Sequence, residues 1–210
     1  EITKKYTNNI HISDTWPGFG KQRQNAQKLA TSDWIFMLDA DEEISSNLKN
    51  SILQVIDGDP DIYQVNRLSK AFGHEVKHSG WHPDWINRLY PKNLTTYNDA
   101  LVHETLVIPE QCKPKKISGI LHHETYRSMQ DYYQKMSIYI DAWSTQNIDK
   151  KTGGFFIGLI RGQWAFFKMY ILKLGFLDGF VGIILAILRY ETTIMKYVDL
   201  KIKKTARNKE

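Results

Sequence analysis

A chain of 210 residues that is 42% hydrophobic, 24% charged and 12% aromatic can bury the core of one ordinary domain, with room for an appendage. The apolar content excludes a disordered chain, 13 Gly and 6 Pro exclude a collagen-like or low-complexity one, and the single Cys112 excludes an intrachain disulfide scaffold and favours a reducing compartment. The net charge of +5 is unevenly spread, with 12 Lys+Arg against 4 Asp+Glu in residues 150–210 and 16 against 19 in residues 1–149, so a basic tail seeks an anionic partner, nucleic acid or lipid.

The opening EITKKYTNN lacks Met and has no apolar stretch behind its charges, so it shows no secretory signal pattern. Trp16-Pro17-Gly18-Phe19-Gly20 is turn chemistry, and Lys21 to Ala30 reads as a short helix. Trp34 to Leu38 (WIFML) is an unbroken apolar run of strand length, expected to be a buried parallel strand, and it ends abruptly in Asp39-Ala40-Asp41-Glu42-Glu43. Ser45 or Ser46 can cap a helix whose apolar positions Leu48, Ile52, Val55 and Ile56 fall at helical spacing. Helix, strand and helix in sequence predict an α/β layer.

Between Ile62 and Ile120 short extended runs dominate: IYQVNRL, WINRLY, ALVHETLVI and KISGIL. Ser128 to Gln146 then reads as a helix whose stripe of Met129, Tyr132, Tyr133, Met136, Tyr139, Ile140 and Trp143 is expected to pack on the sheet. From Gly153 the chain is apolar but regularly punctuated by charge. Its longest uncharged stretch, Gly179 to Leu188, is well short of the ~20 residues that span a bilayer. Arg161 and Lys168 share one helical face, and Arg189, Lys196 and Lys203 share another, opposite Ile184, Ile187, Ile194, Val198 and Ile202. Wide apolar faces edged by Lys and Arg suit helices lying in a membrane interface, and a helical hairpin packed on its own domain or on a second subunit is the alternative. Nucleic-acid binding would need basic residues interleaved with exposed aromatics over a groove, so no nucleic acid is expected as a partner.

The sharpest chemical signal is Asp39-Ala40-Asp41. Two carboxylates at the carboxyl end of a strand sit where open α/β sheets bind ligands, and a divalent cation relieves their repulsion and can bridge to a diphosphate. An acidic helix-capping loop is the plainer alternative. Val102-His103-Glu104 offers a general base, and Leu121-His122-His123-Glu124 offers two imidazoles able to ligate a metal. His74, His78 and His82 have the spacing of a metal-binding helix face, but Gly73, Gly80 and Pro83 argue against a helix there. Arg88 in WINRLYPK needs an acidic or phosphate partner in its apolar setting, and Lys21 and Arg23 beside Asn25 can reach a phosphate or ribose, a solvated helix face being the equal alternative.

Taken together, WPGFGKQRQNAQKLATSDWIFMLDADEEI, WINRLYPK with YNDALVHETL, and ILHHETYRS with YYQKMSIY resemble family 2 glycosyltransferases, in particular the group typified by lipopolysaccharide-core β-1,4-glucosyltransferases acting on heptose. The resemblance implies a GT-A-like, Rossmann-like α/β glycosyltransferase domain over residues 1–150 and a basic amphipathic helical tail over residues 151–210 that associates with anionic membrane. It implies a nucleotide-sugar donor (UDP-glucose), a divalent cation (Mg or Mn), and inverting transfer of a hexose to a lipid-linked lipopolysaccharide-core or related glycan. By position, Asp41 and Asp39 with His123, or His122 in its place, would hold the metal and diphosphate. Glu104 would be the catalytic base, Asp39 would reach the ribose, and Lys21, Asn25 and Arg88 would contact the donor. The expected location is the cytoplasmic face of the bacterial inner membrane, peripherally bound. Such proteins begin with a strand and a Gly/Ser/Asp-rich loop that cradle the donor's base and ribose, and this chain starts after that segment. It therefore reads as N-terminally truncated, and a non-catalytic or incomplete membrane-associated module is the competing expectation.

Overall fold

The computed structural model describes residues 2–100 and 104–208. Six strands make one mixed sheet: β1 (Trp34–Phe36), β2 (Glu42–Ile44), β3 (Tyr63–Ala71), β4 (His74–Glu75), β5 (Asp84–Pro91) and β6 (Lys115–Tyr126). Its order is β1-β5-β3-β6-β2, with β4 added to β3, and only the β3/β6 pair is parallel. The helices are α1 (Phe19–Leu29), α2 (Ser46–Ile56), α3 (Met129–Gln146), α4 (Phe155–Phe167) and α5 (Gly179–Arg207). This is the mixed α/β architecture expected of a GT-A-like domain.

The WIFML run behaves differently from expectation. Only Trp34–Phe36 is a strand, it pairs antiparallel with β5 at the edge of the sheet, and Ile35 alone is buried. The path of the chain after Phe36 explains this. Residues 37–41 leave β1 at one edge, and β2 joins β6 at the other. The acidic segment therefore crosses the sheet past β5, β3 and β6. ALVHETLVI forms no strand among its described residues. Leu106 makes one bridge to Tyr97, and residues 101–103, His103 included, lie outside the described residues.

Ser45 rather than Ser46 caps α2, its hydroxyl accepting from the Leu48 amide at 3.3 Å. The apolar side of α2 meets the sheet in a core of Leu48, Tyr63, Val65, Leu89, Ile117 and Leu121. Gly119, at φ +102°, allows this approach. A Cβ there would lie 2.3 Å from the Leu48 nitrogen.

The last third of the chain folds back on itself as a hairpin. Gly158 and Gly162 of α4 lie against Ile194 and Tyr190 of α5, close enough that added Cβ atoms would crowd them. A π-helical turn (Lys168–Leu172) and a 3-10 turn (Gly175–Asp178) join the two helices. No single helix among the described residues is long and apolar enough to cross a membrane. Phe155–Leu172 and Gly175–Arg207 reach that composition only as a bent pair. The hairpin shares a core with the sheet: Met169, Leu185 and Ala186 pack with Ala71 and Val76.

Two faces differ from their sequence-based reading. The α3 stripe meets mainly α5, where the Tyr132 hydroxyl donates to Leu188 O at 3.0 Å. The Arg189–Lys196–Lys203 stripe of α5 correspondingly turns toward α3, with Lys203 donating to Asp141 and Ser144 at 2.7 Å each.

Leu48 is fully buried and Leu53, on the same helix, is half-exposed. Leu48→Ala is expected to cost about 2–5 kcal/mol and Leu53→Ala less than about 0.5 kcal/mol, read from urea unfolding midpoints.

Candidate active site

The crossing acidic segment forms the floor of a cleft of about 980 Å³ whose walls carry residues of α1, β3, β5, β6 and α3. The β2–β6 register sets one side of it. Glu42 lies opposite His123 and Glu43 opposite His122, and the Glu124 amide donates to Asp41 O at 2.9 Å. This brings His123 Nε2 to 3.5 Å from Asp41 Oδ2. The far nitrogen, Nδ1, sits 3.2 Å from Ser69 Oγ and 3.0 Å from Thr125 Oγ1, which orients the ring. Because neighbouring strand residues point to opposite faces, His122 leaves the cleft and lies 3.9 Å from Glu75.

An ion network sets the other side. Arg23 of α1 donates through Nε to Glu104 Oε1 at 2.7 Å and lies 2.9 Å from Asp39 Oδ1, so one guanidinium ties the base candidate to the first acid of the pair. Arg88 of β5 donates to Asp39 Oδ2 at 2.7 Å and to Glu42 Oε1 at 2.5 Å. Arg67 of β3 approaches the same Glu42 oxygen at 3.7 Å and donates to Asp84 at 2.9 Å. The Glu42 side chain is fully buried and that of Arg88 nearly so, which explains why each needs the other. Arg23 is placed by the way α1 docks. The Gly20 amide donates to Ala100 O at 3.0 Å, and a Cβ on Gly20 would collide with Asn98 O at 2.0 Å.

Burial works against ionisation of Asp39, but Arg23 and Arg88 outweigh it and hold this carboxyl below the ordinary aspartate range. Asp41 is also held low, first by its hydrogen bond with His123, with burial opposing and Lys135 of α3 adding to the effect. Burial raises the Tyr139 phenol, and the Glu104 and Asp41 carboxylates raise it further; this ring lines the cleft.

Asp39, Asp41, Arg88, Glu104 and His123 thus line one cleft. Lys21 and Asn25 do not line it. Lys21 pairs with Asp99 at 3.4 Å on the surface and Asn25 is exposed, because the helical turn that directs Arg23 inward directs its neighbours outward. The sequence reading missed Glu42, Arg67, Lys135 and Tyr139. A signal for Arg67 was present, since Asn66-Arg67-Leu68 repeats Asn87-Arg88-Leu89 on the adjacent strand.

Among the described residues no three His, Cys, Asp or Glu side chains converge as a ready metal cage, and His74, His78 and His82 share no helix. Asp39 is engaged by two arginines. Asp41 and the oriented His123 are a carboxylate and an imidazole facing each other, two donor types able to ligate a divalent cation.

The sequence model "Glycosyl transferase family 2" matches residues 1–144. An uncharacterized glycosyltransferase of Rickettsia prowazekii is 24% identical over 220 residues, covering 92% of this chain and 75% of the relative. One from Rickettsia typhi is 22% identical over 197 residues, covering 83% and 67%, and one from Rickettsia felis is 24% identical, covering 82% and 65%.

The Asp39 arrangement has a pH signature. A carboxyl whose folded value is depressed adds stability above its unfolded value, about 3.9, and loses that contribution as pH falls through the folded value. Asp39→Asn is therefore expected to unfold at lower urea than the natural chain at pH 7, with the gap closing as pH falls below about 4.

Proposed function

The chain belongs to glycosyl transferase family 2, and we propose that it is an inverting hexosyltransferase that moves glucose from UDP-glucose to a lipid-linked glycan of the lipopolysaccharide-core type. A family 2 transferase uses a nucleotide-sugar donor and a glycan acceptor. The observation that carries the finer reading is the Arg23 bridge, which holds Glu104 and Asp39 together beside the Asp41–His123 pair.

Glu104 is the base. It takes the proton of the acceptor hydroxyl as that oxygen bonds to the anomeric carbon, on the face opposite the nucleotide, while the bond from that carbon to the diphosphate oxygen breaks. Arg23 positions Glu104 and holds it against Asp39, and the Arg88 and Lys135 cations offset the charge growing on the leaving diphosphate. Asp41 and His123 would hold a divalent cation, Mg²⁺ or Mn²⁺, which would supply Lewis-acid neutralisation of diphosphate charge. Asp39 organises the arginines and is left to the ribose side of the donor.

The hairpin supports a peripheral site of action at the cytoplasmic face of the bacterial inner membrane. Eleven large apolar side chains between Phe155 and Phe180 are exposed, among them Phe156 at 76% and Phe180 at 79%, which is too continuous a surface to be incidental. Arg161, Lys168 and Lys173 are exposed along the same stretch, in the pattern of a helix seated among anionic headgroups.

With Mn²⁺, UDP-glucose and a lipopolysaccharide-core acceptor, Glu104→Gln and Asp41→Ala are each expected to lower product formation about 100-fold or more with an unchanged circular dichroism spectrum. Near-normal turnover in either variant removes that residue from the mechanism. Absence of product with every nucleotide sugar tried favours the non-catalytic module.

A further inference from the structure

A second cavity, of about 650 Å³, opens beside the cleft between α3, α4, α5 and the Ser79–Trp81 loop, and shares the Tyr126 and Tyr139 rings with it as a common wall. Its chemistry is one-sided. Lys168, Lys173, Arg189 and Lys196 line it, and no Asp or Glu does. Among the described residues none of these four cations forms an ion pair. The neighbouring cleft, by contrast, balances Arg23, Arg67, Arg88 and Lys135 against Asp39, Asp41 and Glu104.

Arg189 and Lys196 are seven residues apart, on one face of α5, and both look onto α3. Burial lowers the Lys196 ammonium, and the Arg189 charge lowers it further, so this pair is under electrostatic tension. An anion placed between them removes that tension. The remaining wall is aromatic. Trp81, Trp143 and Trp164 line it with Tyr126, Tyr132 and Tyr139, and Lys196 Nζ stands 5.9 Å from the Trp143 ring. A free inorganic anion has no use for such a wall.

The position of the cavity narrows the occupant further. Trp164, on its rim, is 56% exposed and belongs to the helix that carries the exposed apolar surface. The opposite wall is the Tyr126–Tyr139 boundary with Glu104 and Asp41 beyond it. The cavity thus lies between the lipid-seeking face and the reacting groups. Its Ser79 wall is fixed to the corner of the hairpin. Buried Asp178 accepts from the Lys77 amide at 3.0 Å, the His78 amide at 3.1 Å and the Ser79 hydroxyl at 2.9 Å. That wall is therefore held in place by the fold.

We propose that this cavity binds the phosphate-bearing, lipid-proximal part of the acceptor, with Arg189 and Lys196 on the phosphate and the tryptophans against its apolar portion. The proposal rests on the reading of the chain as a transferase with a lipid-linked acceptor, and its test needs no turnover. Dodecyl phosphate below its micelle concentration is titrated into the full chain while intrinsic tryptophan fluorescence is followed. A saturable change is expected, of smaller amplitude in Trp143→Phe because Trp81 and Trp164 still report, and with affinity at least tenfold weaker in Arg189→Gln/Lys196→Gln but not in the control Lys201→Gln/Lys204→Gln, with circular dichroism unchanged in all. Dodecyl maltoside should not compete, and inorganic phosphate should compete only at concentrations at least 100-fold higher. Equal affinity in the Arg189/Lys196 variant, competition by dodecyl maltoside, or no saturable change in the natural chain overturns the proposal. Competition by inorganic phosphate at comparable concentration also overturns it, by making this a free-anion site. Failure here leaves the Glu104 and Asp41 turnover experiment free to succeed, so the two readings fall separately.

Discussion

Two guanidinium groups set the geometry of the cleft. Arg23 reaches from the helix before β1 to both Asp39 and Glu104, and Arg88 reaches from β5 to Asp39 and the buried Glu42. Without them, three carboxylates in a partly desolvated cleft would repel one another. With them, all three are fixed in place, and the carboxyl of Asp39 is held below the ordinary aspartate range. Buried ion pairs of this kind add little net stability over a well-packed apolar alternative, and their use here is positional. Asp39 is therefore the hub of a scaffold, while Asp41, two residues on, is the acid turned toward His123 with room for a ligand.

Much of this was legible in the sequence, and the rest failed for identifiable reasons. The helices α1, α2 and α3 follow from turn chemistry, Ser caps and 3.6-residue periodicity, which are local properties. The meeting of Asp39, Asp41, Glu104 and His123 followed from a resemblance carried by motifs far apart in the chain. Strand direction was not legible. WIFML has the composition of a buried central strand, yet its neighbour is chosen by a β5 that lies about fifty residues downstream, and it forms an antiparallel edge. The resemblance favoured His123 with His122 as the fallback, but which of the two faces the cleft was not legible from the residues themselves. It depends on the β2–β6 register, and Glu42–Ile44 does not look like a strand from its residues alone. Charge on α1 misled similarly, because Lys21, Arg23 and Asn25 are equivalent in composition and only the docking of Gly20 decides which of them faces inward.

The hairpin reverses an intuitive assignment of faces. Its regular basic stripe looks designed for headgroups, but Lys203 is spent on Asp141 and Ser144, and Arg189 and Lys196 look into a cavity against α3. The surface left to the outside is the apolar one, on α4 and the corner that Asp178 fastens to the Ser79 loop. Sheet and hairpin share the buried residues Ala71, Val76, Met169 and Leu185, and of these Met169 and Leu185 also line the second cavity.

The central claim is that Asp41 and His123, and not His122, hold a cation that in turn holds the donor's diphosphate. It is tested most directly by thermal unfolding with UDP in the presence and absence of Mn²⁺. A rise in melting temperature that requires both ligands together, survives His122→Ala and disappears in His123→Ala is the predicted result. No joint effect in the natural chain, or an equal effect in both histidine variants, would contradict it.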